Sequence, residues 1–367
     1  MSEKKSQLKI TQELAEAAVN KTNERIDELG KNTGNLYEAL NNIQAQFDEI
    51  RNVPSEKLLK YEKLKQFRLN WKQQVEKIEK DYKNTVVNNL SKGSLGVGTG
   101  VALVALGPTA AMGIATTFGV ASTGTAISAL SGAAATNAAL AWLGGGALVA
   151  SGGGMAAGNA LLALAGPVGW AIAGVAVLSS GLLLWKSKSE QKRLEAIFTL
   201  ISKRDITSYE LAIVELNERL SRIKDETLKL ENAIEVIKPF GTDYIQMSEA
   251  QQYELGSYVN LMEAATQLLV NPILGLMPKY AETDYEKFVS EGMKTVDESN
   301  CTSYKDLIIS LSNLLYKIDL EKEDKKLLVK SFNKNKDFLS VMKISKKGID
   351  VSIIRTVCSC LAFKYAH

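Results

Sequence analysis

Apolar and small residues recur along the first fifty positions in alternating steps of four and three: Ala15, Val19, Thr22, Ile26, Leu29, Thr33, Leu36, Leu40, Ile43, Phe47 and Ile50. A 3.5-residue period places the whole series on one narrow stripe of a helix, and such a stripe is buried against another helix. Gly30 and Gly34 fall inside the run. Each is expected to weaken or bend the helix, at about 1 kcal/mol against alanine. Asn52-Val53-Pro54-Ser55 interrupts the pattern and offers Ser55 as a new N-cap. A second helix then carries Leu64, Trp71 and Ile78 seven apart, with Phe67, Val75 and Tyr82 between them, and runs toward Lys92.

The same alternation returns in Tyr209, Ile213, Leu216, Leu220, Ile223, Thr227, Leu230, Ile234 and Ile237, until Pro239-Phe240-Gly241 stops it. Two amphipathic arms thus flank the middle of the chain, and an antiparallel bundle with that middle at one tip buries both stripes economically. An arm of about 45 residues reaches about 65 Å at 1.5 Å per residue. The expected fold is therefore all-α, an elongated antiparallel bundle or coiled-coil stalk. The remaining third is helical by pattern as well. Leu255, Val259, Met262 and Leu269 form a stripe that ends near Asn271-Pro272. Leu307, Ile308, Leu311, Leu315 and Ile318 form another, followed by Leu327, Leu328, Phe332 and Leu339. Lys325-Lys326 and Lys346-Lys347 lie beside these stripes and read as solvated helix faces, with an anionic-lipid or nucleic-acid contact as the alternative. No base-reading motif accompanies them, and no nucleic-acid partner is expected. No segment joins period-two alternation to hairpin turns, so no strands are expected.

Between Lys92 and Lys186 the pattern changes in kind: 93 consecutive residues contain no Asp, Glu, Lys, Arg or His, and they hold 20 of the 27 glycines. The chain accordingly divides into an N-terminal arm 1–92, an uncharged Gly/Ala-rich block 93–185, a return arm 186–241 and a C-terminal helical region 242–367. Keeping the block out of water needs a large apolar shell, which thin coiled-coil stripes do not supply. A bilayer does, at about 20 apolar residues per crossing. Residues 168–185 are the strongest span, ending in Trp185 with Lys186 and Lys188 behind it, as an interfacial belt requires. Trp170 and Trp185, backed by these two lysines, are the expected interface anchors. Elsewhere the block is rich in small residues four apart: Gly96 and Gly100, Ala115 and Gly119, Ser128 and Gly132, Gly154 and Gly158, Ala165 and Gly169. This spacing lets helix backbones approach closely in lipid, and these are the candidate insertion and packing residues. Gly144–Gly146 and Gly152–Gly154 are expected loops, and Gly107-Pro108 and Gly166-Pro167 are breaks at matching heights of a hairpin. Basic residues at both flanks favour keeping both ends on one side of a membrane.

Composition removes much other chemistry. The one histidine, His367, is the last residue, so histidine-based catalysis, histidine-rich metal sites and proton shuttles are not expected. Cys301, Cys358 and Cys360 are too few for a disulfide framework or a four-thiolate zinc site. Gly96-Val97-Gly98-Thr99-Gly100 lacks the lysine a phosphate-binding loop requires. The carboxylates are dispersed on helix faces beside lysines. The expectation is a non-enzyme with no cofactor and no metal. The opening Met1-Ser2-Glu3-Lys4-Lys5 enters a charged helical pattern without a cleaved signal peptide.

A helical stalk that interrupts itself with an apolar hairpin resembles the α-helical pore-forming toxins of the cytolysin A and haemolysin BL type. The resemblance rests on heptad arm 15–50, apolar block 93–185 and heptad arm 209–237, about two thirds of the chain. It implies a bundle that shelters its apolar tongue, then inserts and forms a homo-oligomer on the membrane. The chain departs from it in a longer, more glycine-rich block and in residues 242–367, which have no counterpart. On this reading the protein is soluble first, cytoplasmic or secreted without a cleaved signal peptide, and later membrane-inserted, with the lipid bilayer as partner. The alternatives are a permanent membrane anchor whose coiled-coil arms recruit a protein partner, and a soluble oligomeric scaffold that keeps the block inside.

Overall fold

The heptad stripe of the first arm is buried along one helix, α1 (Gln7–Asp48). Ile26 and Ala15 are about 2% exposed, and Leu29, Leu36, Leu40 and Ile43 are fully enclosed, with Thr22 and Thr33 on the same line. The computed structural model describes residues 7–91, 108–118, 182, 185–292, 301, 303–335, 339, 344–345 and 348–366. They are all-α, with no strand among the described residues.

Helix α1 ends at a tight corner in which Asn52 takes a left-handed φ of 59°, a conformation asparagine tolerates better than most residues. Its side chain donates to Asp243 Oδ1 at 3.0 Å. Pro54 then supplies its carbonyl to the amides of Lys57 and Leu58, so helix α2 (Ser55–Ser91) holds Ser55 in its first turn. Helix α2 runs back along α1. Tyr61 donates to the Gln44 carbonyl at 3.0 Å and to Asp48 at 2.7 Å, and the Tyr37 and Trp71 rings stand 5.4 Å apart.

Helix α3 (Pro108–Phe118) comes from the uncharged block and is described with the site below. Helix α4 (Lys188–Ile237) carries the second heptad stripe. The Ser187 hydroxyl caps its first turn, and Pro239 and Gly241, at φ 78°, end it. At about 1.5 Å per residue it is some 75 Å long. Helix α5 (Glu249–Val270) opens with a Ser248/Gln251 capping box and stops before Asn271-Pro272.

Antiparallel pairing holds between α1 and α2 and between α4 and α5, where Arg219 reaches back to the carbonyls of Leu268 and Asn271 at 2.6 and 2.9 Å. The two heptad helices themselves lie side by side in the same direction. Leu8 shares a core with Leu194 and Phe198, Glu28 pairs with Lys224 at 3.0 Å, and Arg51 exchanges backbone hydrogen bonds with Thr242 and Tyr244 at the far end. The cause is topological: α2 brings the chain back to the end where α1 began, and α4 starts again from that end.

Two cores result. The first joins α1, α2, α3, α5 and the C-terminal half of α4. The second gathers Leu8, Leu182, Trp185 and the start of α4 with the buried apolar residues described between Tyr280 and Leu361. It contains α6 (Glu282–Lys287), α7 (Lys305–Leu315), α8 (Lys322–Lys334) and α9 (Val351–Ala366). The region 242–367 is therefore split: α5, Ile273 and Leu276 complete the bundle, and α6 to α9 build the second core. Arg204 of α4 donates to the carbonyls of Leu314 and Tyr316 at 2.9 and 2.6 Å, at the end of α7.

Candidate functional site: a buried apolar helix and its cradle

Of the uncharged block, the described residues are Pro108–Phe118, Leu182 and Trp185. Proline suits the first position of a helix, where its missing N–H has no partner to lose, and α3 begins at Pro108 of the expected Gly107-Pro108 break. The helix has no charged residue. Ala111, Ile114, Ala115, Thr116 and Thr117 are at most 1% exposed. It lies against α1, α2 and α5, inside the first core rather than upon it.

Glycine makes the seat. A Cβ added to Gly113 would stand 2.5 Å from the Ile26 carbonyl oxygen and 3.2 Å from the Gly30 Cα, so the two backbones meet without side chains between them. One added to Gly34 would meet Met112 Sδ at 3.4 Å. Gly30 and Gly34, four apart on α1, thus form a flat groove that takes an apolar helix, the packing by which helices associate where no polar group helps. Their local cost in helix stability, anticipated from the sequence, is offset by this contact. Thr116 and Thr117 find polar partners both within α3 and on its neighbours. Thr117 Oγ1 donates to the Gly113 carbonyl at 2.7 Å, its own carbonyl accepts from the Ile273 amide at 2.6 Å, and Thr116 meets Thr33 at 3.5 Å.

The bundle also buries a cation. Arg68 of α2 is 2% exposed and donates to Gln44 Oε1 and, at 3.4 Å, to Thr266 Oγ1. No carboxylate lies within ion-pair distance of it among the described residues, and burial lowers its pKa. Asp48 is engaged elsewhere. Burial raises its carboxyl, but hydrogen bonds from Lys65 and Tyr61 outweigh that and hold it below the usual carboxylate range.

The candidate residues divide as follows. Ala115 is fully buried in α3. Its partner Gly119 lies outside the described residues, as do Gly96, Gly100, Ser128, Gly132, Gly154, Gly158, Ala165, Gly169 and Trp170. Trp185 is described but does not face outward: it is 8% exposed in the second core, and its Nε1 donates to Glu190 at 2.6 Å. The ammonium groups of Lys334 and Lys330 lie 3.9 and 5.1 Å from its ring centre. Lys186 and Lys188 are exposed beside it. The sequence pattern marked Gly30 and Gly34 only as weak points of the helix, and it did not single out Gly113 or Arg68. The available signal was a pair of glycines four apart within a stripe otherwise built of leucine, isoleucine and threonine.

Among the described residues no helix is long and apolar enough to cross a membrane. At 11 residues α3 spans about 16 Å, roughly half a hydrocarbon core. Also among the described residues, no cluster of His, Cys, Asp or Glu is arranged to hold a metal ion. The chain matches no protein-family model, no curated protein and no solved structure.

Proposed function

We propose that this protein is a membrane-inserting, pore-forming α-helical protein that shelters part of its uncharged block inside its own bundle and releases it on contact with a bilayer. The observation that carries the reading is the burial of α3 on the Gly30/Gly34 groove. An uncharged helix seated by small residues can leave such a groove for a similar one on a neighbouring helix in lipid, because the contact asks only for close backbone approach. Inserted copies then assemble through the small-residue pairs of the block, Gly154 and Gly158 among them. A permanent anchor would have no use for a protein shelter around the same segment, so sheltering favours insertion on demand. Burying Arg68 with no carboxylate in ion-pair distance among the described residues costs stability in the bundle that shelters α3.

A covalent lock on α3 tests this. A double variant, Gly34→Cys with Met112→Cys, places two thiols across the cradle contact. Its oxidised form is expected to leave dye-loaded vesicles intact, and reduction is expected to restore release to the unmodified chain's level. Equal leakage from oxidised and reduced protein, with the cross-link verified by mass, would refute the mechanism. An unmodified chain that inserts yet releases no dye would refute the pore.

A further inference from the structure

We infer that helix α8 presents a lysine ladder that docks the protein on anionic phospholipid headgroups. The inference deepens the membrane reading above and rests on it for the choice of a bilayer as partner.

Lys322, Lys326, Lys330 and Lys334 recur every fourth residue along α8, and all four are exposed. Leu327, Leu328 and Phe332 fix the opposite side of the helix in the second core. Like charges four apart on a helix repel and lower its stability, so the ladder does not serve the fold. Its charge is also largely uncompensated. Lys330 meets Glu190 at 2.6 Å, whereas Lys322, Lys326 and Lys334 have no carboxylate within 4.0 Å among the described residues. At its start the N-cap Glu321 and the first-turn Asp324 are engaged by Arg193 of α4, which leaves Glu323 as the one acidic residue of α8 beside the ladder.

The ladder's position identifies its partner. Its last two lysines are those that lie over the Trp185 ring, and Trp185 is the residue at which the uncharged block rejoins the charged chain. Exposed Lys186 and Lys188 continue the positive surface from there. A row of cations backed by an indole, beside the root of an uncharged segment, matches the headgroup layer of an anionic bilayer, with the segment directed at the hydrocarbon. Nucleic acid fits less well, because the one aromatic residue of α8, Phe332, is buried and offers nothing for a base to stack on.

The test is sedimentation of the full-length chain with vesicles of phosphatidylcholine, alone or mixed with phosphatidylglycerol, alongside dye release. Each lysine near an anionic surface contributes about five-fold in partitioning. A triple variant at the lysines without an ion pair, Lys322→Gln, Lys326→Gln and Lys334→Gln, is therefore expected to bind mixed vesicles on the order of 100-fold more weakly, with a melting temperature no lower than that of the unmodified chain. A control triple with the same change of net charge, Lys31→Gln, Lys63→Gln and Lys203→Gln, is expected to lose far less. Equal losses in the two triples, equal binding of the unmodified chain to neutral and mixed vesicles, or tighter binding to duplex DNA than to mixed vesicles would each overturn the assignment. The two proposals fail separately. Ladder-dependent binding without dye release sinks the pore and leaves the ladder, while dye release equal from neutral and mixed vesicles, and equal for both triples, does the reverse.

Discussion

Arg68 carries its guanidinium into the centre of the bundle, where it has only neutral oxygens for company. Desolvating a cation costs several kcal/mol, and hydrogen bonds to amides and hydroxyls recover part of it. Neither partner depends on the arginine. Thr266 Oγ1 already donates to the Met262 carbonyl at 2.7 Å, and Gln44 is half-buried, within reach of water. Arg68→Met, similar in length and without charge, is therefore expected to stabilise the protein by about 1–2 kcal/mol, read as a higher midpoint in urea with an unchanged slope. A lower midpoint would show that the guanidinium is an essential part of the packing. The same variant is expected to release dye from vesicles more slowly, because it steadies the bundle that shelters α3.

At the scale of elements, the cradle contact decides how α3 and α1 fit, and two glycines separate packing from helix propensity. Gly113→Val puts a branched side chain where even a Cβ would stand 2.5 Å from backbone. It is expected to cost upward of about 2 kcal/mol and to unseat α3, measured as a lower melting temperature and new binding of an apolar dye. Gly256 of α5 has nothing within 4 Å of its added Cβ. There Gly256→Ala is expected to stabilise by up to about 1 kcal/mol through helix propensity alone. Similar effects from both changes would mean that α3 does not sit on α1 as described. The long amphipathic elements themselves were legible in the sequence. The residues Ile26, Leu29, Leu36, Leu40 and Ile43 are buried where the four–three spacing put them, because that spacing is a property of the helix and needs no partner to be read. The breaks at Pro54, Pro239 and Pro272 were legible for the same reason, since a missing N–H is local chemistry.

Across the whole molecule, α4 passes through both cores, and the junction between them holds a second buried charge. Asp205 is 5% exposed and pairs with Arg204 at 2.6 Å, while its Oδ2 has no partner. Burial raises its pKa above the ordinary aspartate value, against the attraction of Arg204 and of Lys279; Tyr209 lies near it and is itself shifted upward by burial. A carboxyl whose folded pKa is raised contributes stability that is complete below the unfolded value near 3.8 and is lost as pH rises through the folded value. Asp205→Asn removes this dependence. The stability of the unmodified chain relative to the variant is accordingly expected to improve as pH falls from 7 toward 4, measured by urea unfolding at each pH. A gap that is flat, or that moves the other way, would mean the carboxyl titrates normally. An acid-triggered opening of the molecule would have to come from other groups, because this one favours the folded state in acid.

What the sequence determined by itself was local or periodic: the all-α class, the two heptad helices and their ends. Each follows from spacing or from residue type, which any short window of the chain displays. The tertiary structure decided relations that no window contains. It set the heptad helices parallel because α2 returns the chain to the starting end, and it placed α5 in the bundle while the remaining helices gathered around the start of α4. It also turned Gly30 and Gly34 from apparent weaknesses of α1 into the seat of α3. A missing side chain is a cost within one helix and an advantage between two, and only the meeting of distant segments reveals which applies.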